Sequence, residues 1–269
     1  MSNMTDYEAG QLTEYEIIKG NCLKVIDNLY EERGEFVDLI FCDPPYFLSN
    51  GGITCKNGKM VKVDKGKWDK SNGAEENHNF NFEWIKRCQK ILKKNGTLMV
   101  SGTHHIIYSV GFAMQQLNMK VLNNITWQKP NPPPNLSCRY FTHSTETIIW
   151  AAKNEKSKHK FNYDLMKNVN EGKQMKDVWT MTAPLKKEKI FGKHPTQKPL
   201  ALLDRLILSS TNAGDIVLDA FNGSGTTGVS CIQNGRKYIG IELEGEYIKL
   251  TKKRLEEVAV VTQLKRASI

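Results

Sequence analysis

Ile216-Val217-Leu218-Asp219-Ala220-Phe221-Asn222-Gly223-Ser224-Gly225-Thr226-Thr227-Gly228 decides the fold class. A short apolar run ends in an acid, and a literal G-x-G-x-x-G leads into a segment with helical spacing. Glycines there permit a tight turn and let a ligand approach the backbone at a helix N-terminus. The next apolar run, Tyr238-Ile239-Gly240-Ile241, is closed by Glu242, 23 positions after Asp219. An acid at about that separation reaches ribose hydroxyls in nucleotide-binding βαβ units. The combination predicts a nucleoside-containing cofactor. Close packing of a helix on a sheet would explain the glycines alone, but not the acid.

Similar units continue outward from this stretch. Short strands are expected at 14–19, 37–42, 97–101, 123–128 and 147–151, besides those at 216–219 and 238–241. Helical spacing marks 23–29, a segment near 82–92, 106–117, a segment from Leu200 and a charged C-terminal stretch from Gly245. Strands apolar on both faces that alternate with helices predict an α/β fold: a doubly wound, mostly parallel, seven-stranded Rossmann-like sheet. Trp179 and Pro184 read as markers of irregular chain.

A second constellation lies far upstream. The run Val37-Asp38-Leu39-Ile40-Phe41-Cys42 ends in Asp43-Pro44-Pro45-Tyr46. Two prolines stop both strand and helix and leave their carbonyls free to accept. A rigid tip with a carboxylate, carbonyls and a ring could hold a planar amino group. A plain strand-to-loop turn is the simpler alternative.

Composition narrows the substrate. The 269-residue chain is 39% hydrophobic, enough for one large domain with an insertion. It has no run of about 18 apolar residues and no signal-peptide pattern at its start, so a cytoplasmic protein is expected. Six scattered cysteines without C-x-x-C, and histidines without ligand spacing, predict neither metal nor disulfides. Net charge is +9 and it is clustered. Residues 48–73 carry six Lys against Asp64 and Asp69, and 153–193 carry eleven Lys against five acids. Such clustering suits a polyanion, DNA or RNA.

With D-P-P-Y preceding F-x-G-x-G, the chain resembles the amino-methylating DNA methyltransferases of the circularly permuted class often called beta. The resemblance implies a catalytic half at 1–152 with a mobile loop at 48–79, a basic target-recognition segment at 153–193, and an S-adenosylmethionine-binding half at 194–269. It implies that Asp43, Pro44, Pro45 and Tyr46 handle a flipped-out base, with Tyr46 stacking on it. Donor contacts are implied for Asn21 and Cys22 in the turn after β-segment 14–19, for Asp43, for Thr196 and Lys198 of His194-Pro195-Thr196-Gln197-Lys198-Pro199, and for Asp219, Phe221, Gly223, Ser224, Gly225, Thr226, Thr227 and Glu242. Trp68, Asn135, Arg139, Tyr140, Lys173 and Lys176 are expected to contact DNA. Stretches 46–52, 64–69 and 135–141 further resemble adenine methyltransferases of restriction–modification systems that recognise GATC, some of which accept single-stranded DNA. Asp as first residue of the tetrapeptide favours adenine N6 over cytosine N4. A homodimer and a cognate nuclease acting on the same site would fit that class. Rival readings are an RNA or protein-amide methyltransferase, a nicotinamide oxidoreductase and a DNA-binding module with a degenerate cofactor site.

Overall fold

The structure is a computed structural model that describes residues 14–49, 53–56, 59–62, 66, 69–192 and 194–267, with side chains described only outside 53–62 and up to 264. Among the described residues, ten strands and seven α-helices follow in chain order. They are β1 Tyr15–Lys19, α1 Cys22–Arg33, β2 Val37–Cys42, β3 Ile53–Lys56, β4 Lys59–Lys62, α2 Ala74–Ile91, β5 Leu92–Gly102, α3 Ile107–Gln116, β6 Lys120–Gln128, β7 Thr145–Ala152, α4 Tyr163–Val169, β8 Val178–Thr180, α5 Leu200–Ser210, β9 Ile216–Asp219, α6 Thr226–Gln233, β10 Lys237–Glu242 and α7 Gly245–Ala267.

Eight strands form one sheet in the order β1-β10-β9-β2-β5-β7-β6-β8. The run from β1 to β5 is parallel throughout, and only β7 is antiparallel to its neighbours. Alternation along β2 explains the double winding. Val37, Ile40 and Cys42 join a core with α1, α2 and α3, while Leu39 and Phe41 join a second core with α5, α6 and α7. A strand with both faces buried has to be mostly apolar, and this one is from Leu39 to Cys42, with Asp38 part-exposed near its start.

The strand count and the place of Trp179 are corrected. The sheet has eight strands, because the basic segment adds β8 in parallel to β6 through Thr126↔Val178 and Gln128↔Thr180. Trp179 is therefore no marker of irregular chain. Its ring is buried and its indole N–H donates to the Lys176 carbonyl at 2.6 Å, with the Arg205 guanidinium 5.0 Å above the ring. A three-residue strand is too short for its alternation to be read, and the surrounding lysines mask it. The same segment holds α4, seated by buried Met166 and by the Asn162 amide, which donates to the carbonyls of Leu208 and Thr211.

The stretch 48–79 holds structure that the sequence did not show. This stretch contains the antiparallel hairpin β3–β4 and the first turn of α2, and Asp69 within it is wholly buried. Asp69 ties its own segment to residues 46–49, and one residue leaves no periodic trace in sequence.

Candidate active site

The register of the central strands assembles the site. β2 and β9 are parallel neighbours, with Phe41 opposite Asp219. The tips that follow them, 43–46 and 220–225, therefore leave the sheet side by side at its C-terminal edge, where α/β sheets bind ligands. Between them lies a cavity of about 270 Å³ whose lining includes Asn21, Cys22, Asp43, Pro45, Thr196, Lys198, Phe221, Gly223, Thr227 and Glu242. Residues predicted from five separate stretches of sequence converge there.

The glycine turn is built by its neighbours. Gly225 is left-handed (φ 72°), and a Cβ on it would lie 2.5 Å from the Thr251 side chain. Gly228 serves packing: a Cβ would meet the Tyr238 ring at 2.6 Å. Asp219 accepts from the Phe221 amide (3.0 Å) and the Thr227 hydroxyl (2.6 Å), tying the strand end to the first turn of α6. Burial pushes its carboxyl up to about 7 against those two bonds, with Asp43 and Glu242 adding repulsion. Glu242 accepts from the amides of Gly223 (2.7 Å), Leu243 (2.8 Å) and Glu244 (2.9 Å), while burial raises its pKa. Ser224 and Thr226 share Arg254, which is buried beneath the turn. Phe221 packs edge-on against Trp84, centroids 5.3 Å apart. Asn21 caps α1, accepting from the Leu23 amide at 3.0 Å, and the Cys22 thiol is pushed up to about 12, chiefly by burial. Cys22 is thus a small packing residue at the cavity wall. His194 packs its ring over Gly223 and against Tyr247.

On the other side, Asp43 is the hub of a buried polar cluster. Its Oδ1 accepts from Ser101 Oγ (2.6 Å) and the Tyr46 hydroxyl (2.8 Å), and its Oδ2 from Lys198 Nζ (2.5 Å). Lys198 is expected at the donor's methionine end; the structure seats its ammonium on Asp43, with Glu146 3.4 Å away. Tyr46 is expected to offer its ring to a base. In the structure the residue is 6% exposed and its hydroxyl lies 3.3 Å from both Ser101 Oγ and Glu146 Oε2. Among the described residues nothing donates to the Pro44 carbonyl, which leaves it available as an acceptor.

Sequence reasoning missed Ser101, Lys129, Glu146 and Asp69. Glu146 carries a signal in hindsight: positions 146, 148 and 150 of β7 are all buried, so a charge stands in an apolar register. Asp69 accepts from the amides of Tyr46 (2.9 Å), Phe47 (2.8 Å) and Leu48 (3.2 Å) and from Ser49 Oγ (2.8 Å). It thereby fixes Phe47 at φ 58°, a left-handed conformation rare outside glycine.

The Asp43 tip and the glycine turn thus face one cavity, and likeness to known proteins says to which family the chain belongs. Residues 37–253 match the DNA methylase family. The chain belongs to that family. This methylase is 60% identical to the type II methyltransferase M2.DpnII of Streptococcus pneumoniae over 229 residues, 85% of each chain. It is 52% identical to M2.MboI of Moraxella bovis over 247 residues, 92% of this chain and 89% of the other. The crystal structure of an M1.HpyAVI–SAM complex is similar with a TM-score of 0.69 and 30% identity, covering 90% of this chain and 98% of that one. The cytosine-N4-specific PvuII methyltransferase, at 18% identity and a TM-score of 0.70 over 94% and 95% of the two chains, shares the fold. The methylase is thus a DNA methyltransferase whose methyl donor is S-adenosylmethionine, as the sequence implied. No described helix is long and apolar enough to cross a membrane.

The residues expected to contact DNA fall apart into two kinds. The Asn135 side chain is spent within its own loop, accepting from Ser137 N (3.0 Å) and Oγ (2.7 Å) and donating to the Tyr140 carbonyl (2.7 Å). It shapes the loop that presents Arg139 and Tyr140, both exposed. Tyr140 lies 5.3 Å from the His143 ring, which stacks on His104 at 4.5 Å. Lys173 and Lys176 are exposed beside β8. Trp68 lies outside the described residues.

Proposed function

We propose that the methylase transfers the methyl group of S-adenosylmethionine to adenine N6 within GATC, as the modifying partner of a restriction nuclease that cuts the same site. The observation that carries this reading is the cavity itself, walled on one side by Asp43 and Pro45 and on the other by the glycine turn. The donor lies over 219–228, with Glu242 toward its ribose and Thr196 at the opposite wall. An adenine swung out of the helix brings its amino group to Asp43 and the Pro44 carbonyl. Each accepts one N–H, which favours rehybridisation of a nitrogen whose lone pair is delocalised into the ring. In-line attack on the sulfonium methyl forms the N–C bond, breaks S–C and leaves S-adenosylhomocysteine; the amine proton departs afterwards. Residues 1–152 are then the catalytic half, 194–269 the donor half, and 153–193 the basic segment that lies on DNA.

Labelled S-adenosylmethionine with a duplex holding one GATC tests this. Digestion to nucleosides is expected to return N6-methyladenine from that site and none from a duplex lacking it. Label in N4-methylcytosine, or equal label in both duplexes, would overturn the reading.

Recognition is assigned to the loop at 130–144, where Arg139 presents a fork suited to a guanine edge. Arg139→Ala is expected to relax discrimination at one base pair by about 1–3 kcal/mol, read as the ratio of kcat/KM on GATC and on single-substituted sites. A uniform loss on all sites would make Arg139 a phosphate contact instead.

A further inference from the structure

The charges behind Asp43 form an alternating buried row: Asp43, Lys198, Glu146, Lys129. Lys198 is only 6% exposed, and the side chains of Asp43 and Glu146 are 12% and 11% exposed. Glu146 pairs with Lys129 on one oxygen and faces Lys198 and the Tyr46 hydroxyl with the other. Burial opposes ionisation of Glu146, yet Lys198 and Lys129 outweigh it and hold the carboxyl at about 2. Burial likewise opposes the Lys198 ammonium, and Asp43 and Glu146 outweigh that too, so its pKa lies above the ordinary lysine value.

The row matters because Asp43 is nearly full. A carboxylate offers about four acceptor positions, and Ser101, Tyr46 and Lys198 occupy three. One is left for the target amine. An ammonium with Asp43 as its sole anionic neighbour would settle fully on that carboxylate or lose its proton. Glu146 draws it the other way.

We propose that Glu146 is a positioning residue for methyl transfer, drawing the Lys198 ammonium toward itself so that Asp43 keeps one acceptor position open for the amine. This rests on the reading of Asp43 as the amino-group acceptor. It gives the tetrapeptide a partner on β7, at the foot of the loop that carries Arg139, so that the Lys129–Glu146 pair joins recognition loop to clamp.

The test is Glu146→Gln, which keeps shape and removes charge. Affinity for S-adenosylhomocysteine is expected to stay within twofold by calorimetry, while kcat falls tenfold or more. The alkaline limb of kcat is expected to move to lower pH, because the ammonium loses one of two anionic neighbours. A merely structural role would lower the melting temperature and leave that limb in place. A kcat within twofold of wild type with an unmoved limb overturns the proposal. Should Glu146→Gln not fold, Glu146→Asp carries the test: the charge stays, the reach shortens by one methylene, and kcat is expected to fall with the limb unmoved; an unchanged kcat overturns it. Both variants are compared on whichever DNA the wild type methylates, so silence of the wild type is a failure of the methylase reading alone.

Discussion

Asp43→Ala is expected to lower kcat for methyl transfer by about 10²–10³-fold, the loss typical of removing one preorganised partner from a developing charge. Donor affinity is expected to change far less, since the glycine turn and Glu242 stand on other strands. The variant also strips Lys198 of its 2.5 Å partner, leaving Glu146 at 3.4 Å. Breaking a buried pair costs about 3–5 kcal/mol, so the rate must be read on protein shown to be folded. Asp43→Asn separates the two effects. It keeps the shape and one carbonyl acceptor, and single-turnover transfer is still expected to fall about 10²-fold. Wild-type turnover in either variant would remove Asp43 from the chemistry.

Asp69→Ala is expected to have the second largest effect, at a residue that need touch neither substrate nor donor. Its carboxylate answers three backbone amides and one hydroxyl of residues 46–49. Unsatisfied buried donors cost about 1–3 kcal/mol each; with partial relaxation the loss should total about 3 kcal/mol, or roughly 6–12 °C in melting temperature for a chain of this size. Phe47 then lacks what holds it left-handed, and the tip beginning at Asp43 loses its far anchor. A fall in kcat larger than any change in donor affinity is expected, measured below the melting transition. A melting temperature within two degrees of wild type would show that the anchor is dispensable.

The chain announced its two site-bearing turns because each breaks a local rule in a short window. Asp-Pro-Pro cannot continue a strand, and Gly223-Ser224-Gly225 cannot sit inside a helix. The central strands were legible because both their faces are buried, which makes them largely continuous apolar runs, while β6 showed only through the alternation of buried Ile125 and Trp127 with part-exposed and exposed neighbours. What stayed hidden depends on pairing across long separations. Lys198 was legible as a cavity residue, but its pairing with Asp43, 155 residues away, was not. Glu146 is one acid in a strand, and its meaning comes from Lys129, Lys198 and Tyr46, none of them neighbours in sequence. The ring of Tyr46 drew the reading from sequence, and the contacts of its hydroxyl with Asp43 and Glu146 left no local trace. Asn135 could be read from sequence as a base contact or as a structural residue, and its hydrogen bonds within the turn are visible only in the fold.

The adjacency of β2 and β9 also sets a schedule for synthesis. Ile216 N donates to Asp38 Oδ2 across 178 residues. A ribosome adding about 5–20 residues per second needs roughly 10–35 s for that span. During this time β2 can pair with β5 on one side only, and its other edge stays open to any strand that passes. Clamp and donor turn become neighbours in the same event, the docking of β9. A chain stopped before β9 therefore has a tetrapeptide but no methyl to give it, and presents a sticky edge where the enzyme has its centre.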